Sequence, residues 1–487
     1  MRGMDGTSAR KRRNRSLSPP ASNPIHHLKT SKTSSSSSAA SRRPPSKLVT
    51  ANIENLPEHV LVEILCRLPC YKFVSQCKSV SKRWCTLMSN PSFIGRFLCL
   101  QMERPIIRTM INAEGVEFLN KTSSLSKPLT PLFRRLMSIY SLEKEPIVVG
   151  TYNDLVLCCA TEYEQRDYYI WNPCTIQWAE LPPPPRVYEY TPVGFICDLP
   201  YYNSKTGDQE SGDTIKLNSE YRCRVVRIIF PPDQEFSCTL GVQIFSSETG
   251  EWTESIVSPP TALRYESIDP SISFACNGML YWMGRRRNFF IFGLDPFMVN
   301  SSKNSTSIST IGNNTIDRCK CRLIEFDNCG CEIIPCVGVH RGCLRMSEYD
   351  FVSRAVFVAD LIVGEQGGWM VKCHGGTSRL CIKDMVRIYS LGGEKMDLQI
   401  DEENLCILLA FDPDDDDIFY LRVDEDIFMC NSFTSEWSKI AEKSPIDSPF
   451  FYPFVLPWWP TPVPRLPQHA QPTGTRNLFP RTGQNAL

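Results

Sequence analysis

The chain has 487 residues, 42% of them hydrophobic, which is enough apolar material for two or three cores and excludes a chain unfolded throughout. Its 53 basic and 53 acidic side chains cancel only as a sum. Residues 1–50 hold eleven Lys and Arg against Asp5 alone, so the remaining chain is acidic by a matching amount.

That first stretch is rich in Ser and Pro, includes the run from Ser34 to Ser38, and has few large apolar side chains. It cannot offset its ordering entropy by burial, so residues 1–50 are expected to form a disordered basic tail. The cluster from Arg10 to Arg15 fits a nuclear import signal or a phosphate-binding patch, and also a plain solubilising end. No secretory apolar segment opens the chain, so the reducing cytosol or the nucleus is expected. There the 22 cysteines read as buried thiols, metal ligands or incidental residues before they read as a disulfide framework. For the same reason Asn300, Asn304 and Asn313 are expected to be unglycosylated.

Residues 51–95 read as three short helical phrases, each closed by a breaker. Pro57 suits a first helical turn, where a missing N–H costs nothing, and Pro69 ends that helix because it donates no backbone hydrogen bond. Between them Leu61, Ile64, Leu65 and Leu68 recur at helical spacing as one apolar stripe. The second phrase, residues 71–79, places Phe73, Val74 and Cys77 inward. The third, residues 81–88, carries Trp84, Leu87 and Met88 until Pro91 stops it. Three helices of this size cannot bury their apolar surface among themselves, so a partner is implied.

Leu56-Pro57, Glu63-Ile64-Leu65, Arg67-Leu68-Pro69, Val80-Ser81-Lys82-Arg83-Trp84 and Pro91-Ser92-Phe93 together resemble the F-box. The resemblance implies docking onto the Skp adaptor of a cullin-based ubiquitin ligase. Leu56 and Pro57 would pack on the adaptor, with the face of Leu61, Ile64, Leu65, Leu68, Pro69, Val80 and Trp84 shared between core and interface. The competing reading is an ordinary three-helix cap on a larger core. Generic amphipathic helices rarely carry both the Leu-Pro start and the Val-Ser-Lys-Arg-Trp phrase.

Residues 96–144 read as a connecting segment. From residue 147 the pattern becomes short strands rich in Val, Ile, Phe and Tyr between polar turns. Three hairpins stand out: Tyr168-Tyr169-Ile170-Trp171-Asn172-Pro173 leading to Trp178, Val242 through Gly250 leading to Trp252, and Phe428 through Ser432 leading to Trp437. Weaker relatives run over residues 321–334 and 385–396, and Asn277-Gly278 turns directly into a strand. Irregular repetition of this kind predicts a β-propeller. Asp154-Leu155-Val156-Leu157, Trp171-Asn172-Pro173, Phe245 through Trp252 and Asn277 through Trp282 resemble, in that order, the F-box-associated, kelch-like domain found after F-boxes in plants. It would cover residues 145–445. Paired glycines do not recur at a fixed period, so the blade count stays open. Residues 300–314 read as a loop insertion and 446–487 as a Pro-rich tail. The uncharged aromatic stretch 450–463 is too short and too interrupted by proline to cross a membrane.

Candidate sites are few. Cys319, Cys321, Cys329 and Cys331 form the one cluster that suggests zinc, but the spacing is Cys-X-Cys, and buried thiols on a strand are the preferred reading. Asp412-Pro413-Asp414-Asp415-Asp416-Asp417 resembles a calcium loop only loosely, since Asp417 stands where Gly is required and Val423 where a bidentate Glu belongs. It reads as a solvated acidic turn able to attract a basic peptide. Beyond the helical module the histidines are His340, His374 and His469, and no phosphate loop, nucleophile elbow or metal-binding helix occurs.

The expected architecture is thus α+β: a disordered tail, a small three-helix module and a mostly β, propeller-like domain. The expected role is that of a non-catalytic substrate-recognition subunit of a Skp/cullin/F-box ubiquitin ligase, with a target protein of unknown identity on the β-domain. No cofactor, nucleic acid or membrane is expected. A non-ligase scaffold that binds the adaptor alone and a β-propeller enzyme with an unrecognised site are the alternatives.

Overall fold

The computed structural model describes the chain between residues 53 and 467, with gaps of which the longest are 113–132, 203–214, 299–320, 326–335, 382–405 and 442–450. The basic tail and residues 468–487 lie outside the described residues.

The helical module has four helices where three were expected: α1 (Glu58–Leu65), α2 (Tyr71–Lys78), α3 (Lys82–Met88) and α4 (Pro91–Gln101). Pro91 does not merely end α3. It occupies the first turn of α4, where its fixed φ and missing N–H are both harmless, and Asn90 Oδ1 caps the start by accepting from the Ser92 N–H at 2.9 Å. Ser81 caps α3 in the same way, its Oγ accepting from the Trp84 N–H at 3.2 Å. α4 supplies Phe93, Ile94, Phe97 and Leu98 to the core.

Five antiparallel sheets follow, forming a five-bladed β-propeller. Blade 1 is Ile147–Tyr152, Leu155–Cys159, Tyr168–Asn172 and Gln177–Glu180. Blade 2 is Val193–Cys197, Cys223–Ile229, Leu240–Ser246 and Glu251–Val257. Blade 3 is Ile268–Cys276, Met279–Arg285, Phe289–Leu294 and Cys321–Glu325. Blade 4 is Val337–His340, Cys343–Asp350, Ala355–Val363 and Trp369–Cys373, with the short Leu380–Cys381 added to its third strand. Blade 5 is Cys406–Phe411, Ile418–Val423, Asp426–Asn431 and Glu436–Ala441. The first strands of successive blades are neighbours, as a radial arrangement requires. The three hairpins read from the sequence are the outer strand pairs of blades 1, 2 and 5. Residues 385–396 lie outside the described residues, as do 326–334 after the last strand of blade 3.

Two segments expected to be connector and tail are structured. Ile107–Asn112 pairs antiparallel with Phe451–Leu456. Alternation along the latter strand sends Phe451 into the blade 5 cluster with Ala410, Tyr420 and Ile427, and Tyr452 and Phe454 into the blade 1 cluster with Ile111 and Val156. The strand pair therefore bridges the last blade and the first. Thr151 Oγ1 donates to the Pro453 carbonyl at 2.6 Å, fixing the bridge to blade 1.

Past this bridge, residues 457–467 run as a strap between propeller and helices. Trp459 is buried among Tyr71, Phe97 and Phe93, with ring centroids 5.1, 5.6 and 6.4 Å away. Tyr202, from the connection between the first two strands of blade 2, is buried in the same cluster, and Ile215 and Leu217 pack at its edge. The apolar surface that three helices could not bury alone is thus covered from within the chain. Further along the strap, Asp154 Oδ2 accepts from the Thr461 N–H and from Asn172 Nδ2, each at 2.7 Å, and Tyr221 OH donates to the Pro462 carbonyl. Asp154 is fully buried, and desolvation outweighs those hydrogen bonds and raises its pKa to about 6.

Trp459→Ala should cost about 3–5 kcal/mol locally, as large aromatic truncations do. Hydrogen exchange should then show lost amide protection in α1–α4, with protection in blades 2 and 3 retained. For Asp154 the raised pKa means that the folded state favours the neutral acid. Its contribution is full below the unfolded pKa near 3.8 and is lost as pH rises through about 6. At roughly 1.4 kcal/mol per unit this amounts to about 3 kcal/mol. Denaturation of Asp154→Asn against wild type between pH 4 and 7 should show the wild type losing stability with rising pH relative to the variant.

Candidate functional site

The helical module divides its apolar residues between two environments. Leu61, Leu65 and Trp84, all read as shared with an interface, are buried in the internal core with Val74, Met88 and Phe97. Leu68 and Leu56 are half-buried and Pro57 and Pro69 exposed. Ile64, Phe73 and Val80 are 45%, 44% and 57% exposed, although Phe73 was expected to point inward. α2 is short and turns Val74 alone fully inward, which leaves its neighbour Phe73 on the outer side. The exposed set therefore comes from α1, α2 and the turn after α2, while the helices remain held together without it.

Polar groups fix the frame of this surface. Arg96 on α4 and Arg67 just past α1 both reach Glu63, at 3.3 and 3.7 Å, and Gln101 Nε2 donates to the Leu68 carbonyl at 3.2 Å. The two ion pairs are exposed and contribute little beyond orientation. Lys78 at the end of α2 lies 5.1 Å from the Trp459 ring and 6.0 Å from that of Tyr71, and burial lowers its pKa. Its ammonium over the indole face adds an electrostatic attachment between α2 and the strap. Sequence reasoning missed this joint. The Trp458-Trp459 pair in an otherwise Pro-rich segment was the available signal, since two adjacent indoles are seldom left in solvent.

Chemically the module offers apolar contact and no reactive group. Burial pushes the Cys66 thiol up to about 12, and Cys276 and Cys336 in the propeller likewise, which makes them poor nucleophiles. His340 is buried, with Nδ1 2.8 Å from the Asp412 carbonyl oxygen and Nε2 2.9 Å from Asp416. Burial lowers its pKa, so at neutral pH the ring is uncharged and its single N–H donates either to that carbonyl or to Asp416.

Asp416 also takes Arg341 at 2.9 Å and Arg345 at 2.8 Å, and Arg345 pairs with Asp360 at 2.7 Å. Burial opposes its ionisation, but the Arg345 hydrogen bond and the surrounding cationic groups prevail and lower its pKa. The acidic turn thus joins blade 5 to blade 4, with Asp416 already committed to two arginines beside the His340 ring. Among the described residues no group of three or more His, Cys, Asp or Glu is arranged to hold a metal. Cys319, Cys329, Cys331, His374 and His469 lie outside the described residues, and only Cys321 of the zinc candidates is placed, on the outer strand of blade 3. Of the aromatics in the hairpins, Trp171 and Trp282 are fully buried core, and Trp178 and Trp252 are half-buried. No described helix is long and apolar enough to cross a membrane.

Comparison with known proteins agrees with this division of the chain. The family described as F-box-like matches residues 53–101, all four helices, and the family described as "F-box protein At3g26010-like, beta-propeller" matches residues 105–292. The second match takes in the bridging strand Ile107–Asn112 and ends within the third strand of blade 3. Among curated proteins of Arabidopsis thaliana, the chain is 26% identical to F-box protein At5g49610 over 47% of its own length and 58% of the relative's. It is 24% identical to F-box protein At3g26010, covering 47% and 49%, and 22% identical to F-box/kelch-repeat protein At3g17530, covering 54% and 66%. The chain thus spans less than two thirds of each of these relatives. With four helices matching one family and the start of the propeller matching the other, the chain combines an F-box-like domain with the β-propeller of F-box proteins, and its homologues are plant F-box proteins.

Proposed function

We propose that this chain is a substrate-recognition subunit of a Skp/cullin/F-box ubiquitin ligase, holding the Skp adaptor on its helices and a target protein on its propeller. The observation that carries the reading is the exposed trio Ile64, Phe73 and Val80 on a module whose own core is already filled by Leu61, Leu65, Trp84 and Trp459. Apolar side chains left outside a satisfied core are material for a partner. The subunit performs no bond chemistry. It raises the effective concentration of a target lysine at a charged conjugating enzyme by holding both in one complex. The packed joint at Trp459 suits that role, because it ties the helices to the chain that leaves the propeller. The reading places the protein in the nucleus as well as the cytoplasm, with import through Arg10–Arg15.

Replacing Ile64 and Val80 together by Ala should weaken binding to the adaptor by about thirtyfold or more, the equivalent of roughly 2–4 kcal/mol at hot-spot positions. The melting temperature should hardly move, since both side chains are exposed. Adaptor affinity equal to wild type in a calorimetric titration would remove the F-box reading, and adaptor binding without cullin in the co-purified complex would leave a scaffold in place of a ligase. For localisation, changing Arg10, Lys11, Arg12 and Arg13 to Ala should shift a tagged protein out of the nucleus; an unchanged distribution would dismiss the import role.

A further inference from the structure

Cys197 and Cys223 face each other across the first two strands of blade 2, as direct partners in the antiparallel register. In that register Asp198 is opposite Arg222, and its N–H donates to the Arg222 carbonyl at 2.9 Å; Pro192 is opposite Ile228, whose N–H donates to the Pro192 carbonyl at 3.0 Å. Hydrogen-bonded pairs alternate along an antiparallel ladder, so the pair Cys197 and Cys223 falls on a non-hydrogen-bonded position, where Cα atoms approach to about 4.5 Å. That lies inside the range a disulfide spans. The two sulfurs are already 3.1 Å apart, against a bond of about 2.05 Å. The Cys223 backbone is held from the next strand, its N–H donating to Ser247 Oγ at 2.9 Å and its carbonyl accepting from the Ser247 N–H at 3.1 Å. Side-chain rotation is then the movement that bond formation requires.

We propose that Cys197 and Cys223 are a reversible oxidation site, closing to a cross-strand disulfide when the protein meets a peroxide or a small-molecule disulfide. With a peroxide, one sulfur attacks the O–O bond and becomes a sulfenic acid as water leaves; the second sulfur displaces hydroxide from it, and the proton of the second thiol completes another water. Two thiols lose two electrons, and hydrogen peroxide is reduced to two waters. With a small disulfide, two successive exchanges release two small thiols. Both sulfurs are buried, and Cys197 is held well toward the protonated form by burial and by its neighbour, so the step is slow and passes through opening of the strand ends at Asp198 and Arg222.

The position gives the bond a structural consequence. The connection it would close, residues 198–222, carries Tyr201, Tyr202, Ile215 and Leu217, which pack against the helical module, and Tyr202 and Leu217 form a bridge of their own. A disulfide at the base of this connection staples the platform on which the F-box helices rest. The inference does not depend on the ligase reading.

The full chain, purified reduced, would be exposed under native conditions to hydrogen peroxide or oxidised glutathione, its remaining thiols blocked, and the peptides mapped by mass spectrometry without reductant. The expected result is a joined peptide pair containing Cys197 and Cys223 that separates on adding dithiothreitol. The amides of Tyr202, Leu217 and Asn218 should exchange more slowly in the oxidised protein. Cys223→Val should form no such pair and show no oxidant-dependent slowing there; should that variant fail to fold, oxidised against reduced wild type carries the test. The proposal is overturned if exposed Cys70 and Cys85 are oxidised while the pair stays reduced, or if the joined peptide forms only in unfolded protein.

Discussion

The burial of Trp459 is the interaction on which the rest of the architecture depends. A four-helix unit of some fifty residues has too little apolar volume to close a core by itself, and an indole delivered from the far end of the chain, with Tyr202 from blade 2, completes it. These two aromatics come from a blade 2 connection and from the strap, so the helical core is completed by residues outside the helices. The helical module is then free to leave Ile64, Phe73 and Val80 outside.

The strap can deliver Trp459 only because its neighbours are held on both sides. Upstream, Phe451–Leu456 pairs with Ile107–Asn112, so the segment leaving the helices and the segment returning to them are hydrogen-bonded to one another. Downstream, the buried carboxylate of Asp154 gathers the Thr461 N–H and the Asn172 amide. A buried carboxylate is costly, and its raised pKa records that cost; the alternative is an unsatisfied strap backbone inside the protein, which costs as much or more. Asp154-Leu155-Val156-Leu157 and Trp171-Asn172-Pro173, read as family phrases in the sequence, acquire a physical role here: their Asp and Asn are the anchor of the strap. The ion cluster of Asp416 with Arg345 and Arg341, beside the uncharged His340 ring, joins blades 4 and 5 in a comparable way.

The parts of this protein governed by short-range physics were legible in the sequence. Proline positions and the spacing of Leu61, Leu65 and Leu68 marked the first helix, and alternation with polar turns marked the hairpins at Trp171, Phe245 and Phe428. The fourth helix was missed because Pro91 is ambiguous: the same residue ends one helix and is well suited to begin another, and only the Asn90 cap and the packing of Phe93 and Phe97 choose. The blade count was not legible, since five unequal blades leave no fixed period. Which residues of the apolar stripe face inward was only half legible, as periodicity gives a helix face without saying what covers it.

By itself the sequence determined the nature of each local element and the kinds of chemistry available, because capping, alternation and turn residues act within a few positions of one another. It also showed that only three histidines, His340, His374 and His469, lie beyond the helical module. The tertiary structure decided the long-range matters: that strands from opposite ends of the chain bridge blade 5 to blade 1, that Trp459 fills the helical core, that His340 and the acidic turn are committed to holding blades together, and that Cys197 meets Cys223. Each of these joins residues far apart in sequence, and such contacts depend on chain closure and complementary packing that no local pattern encodes.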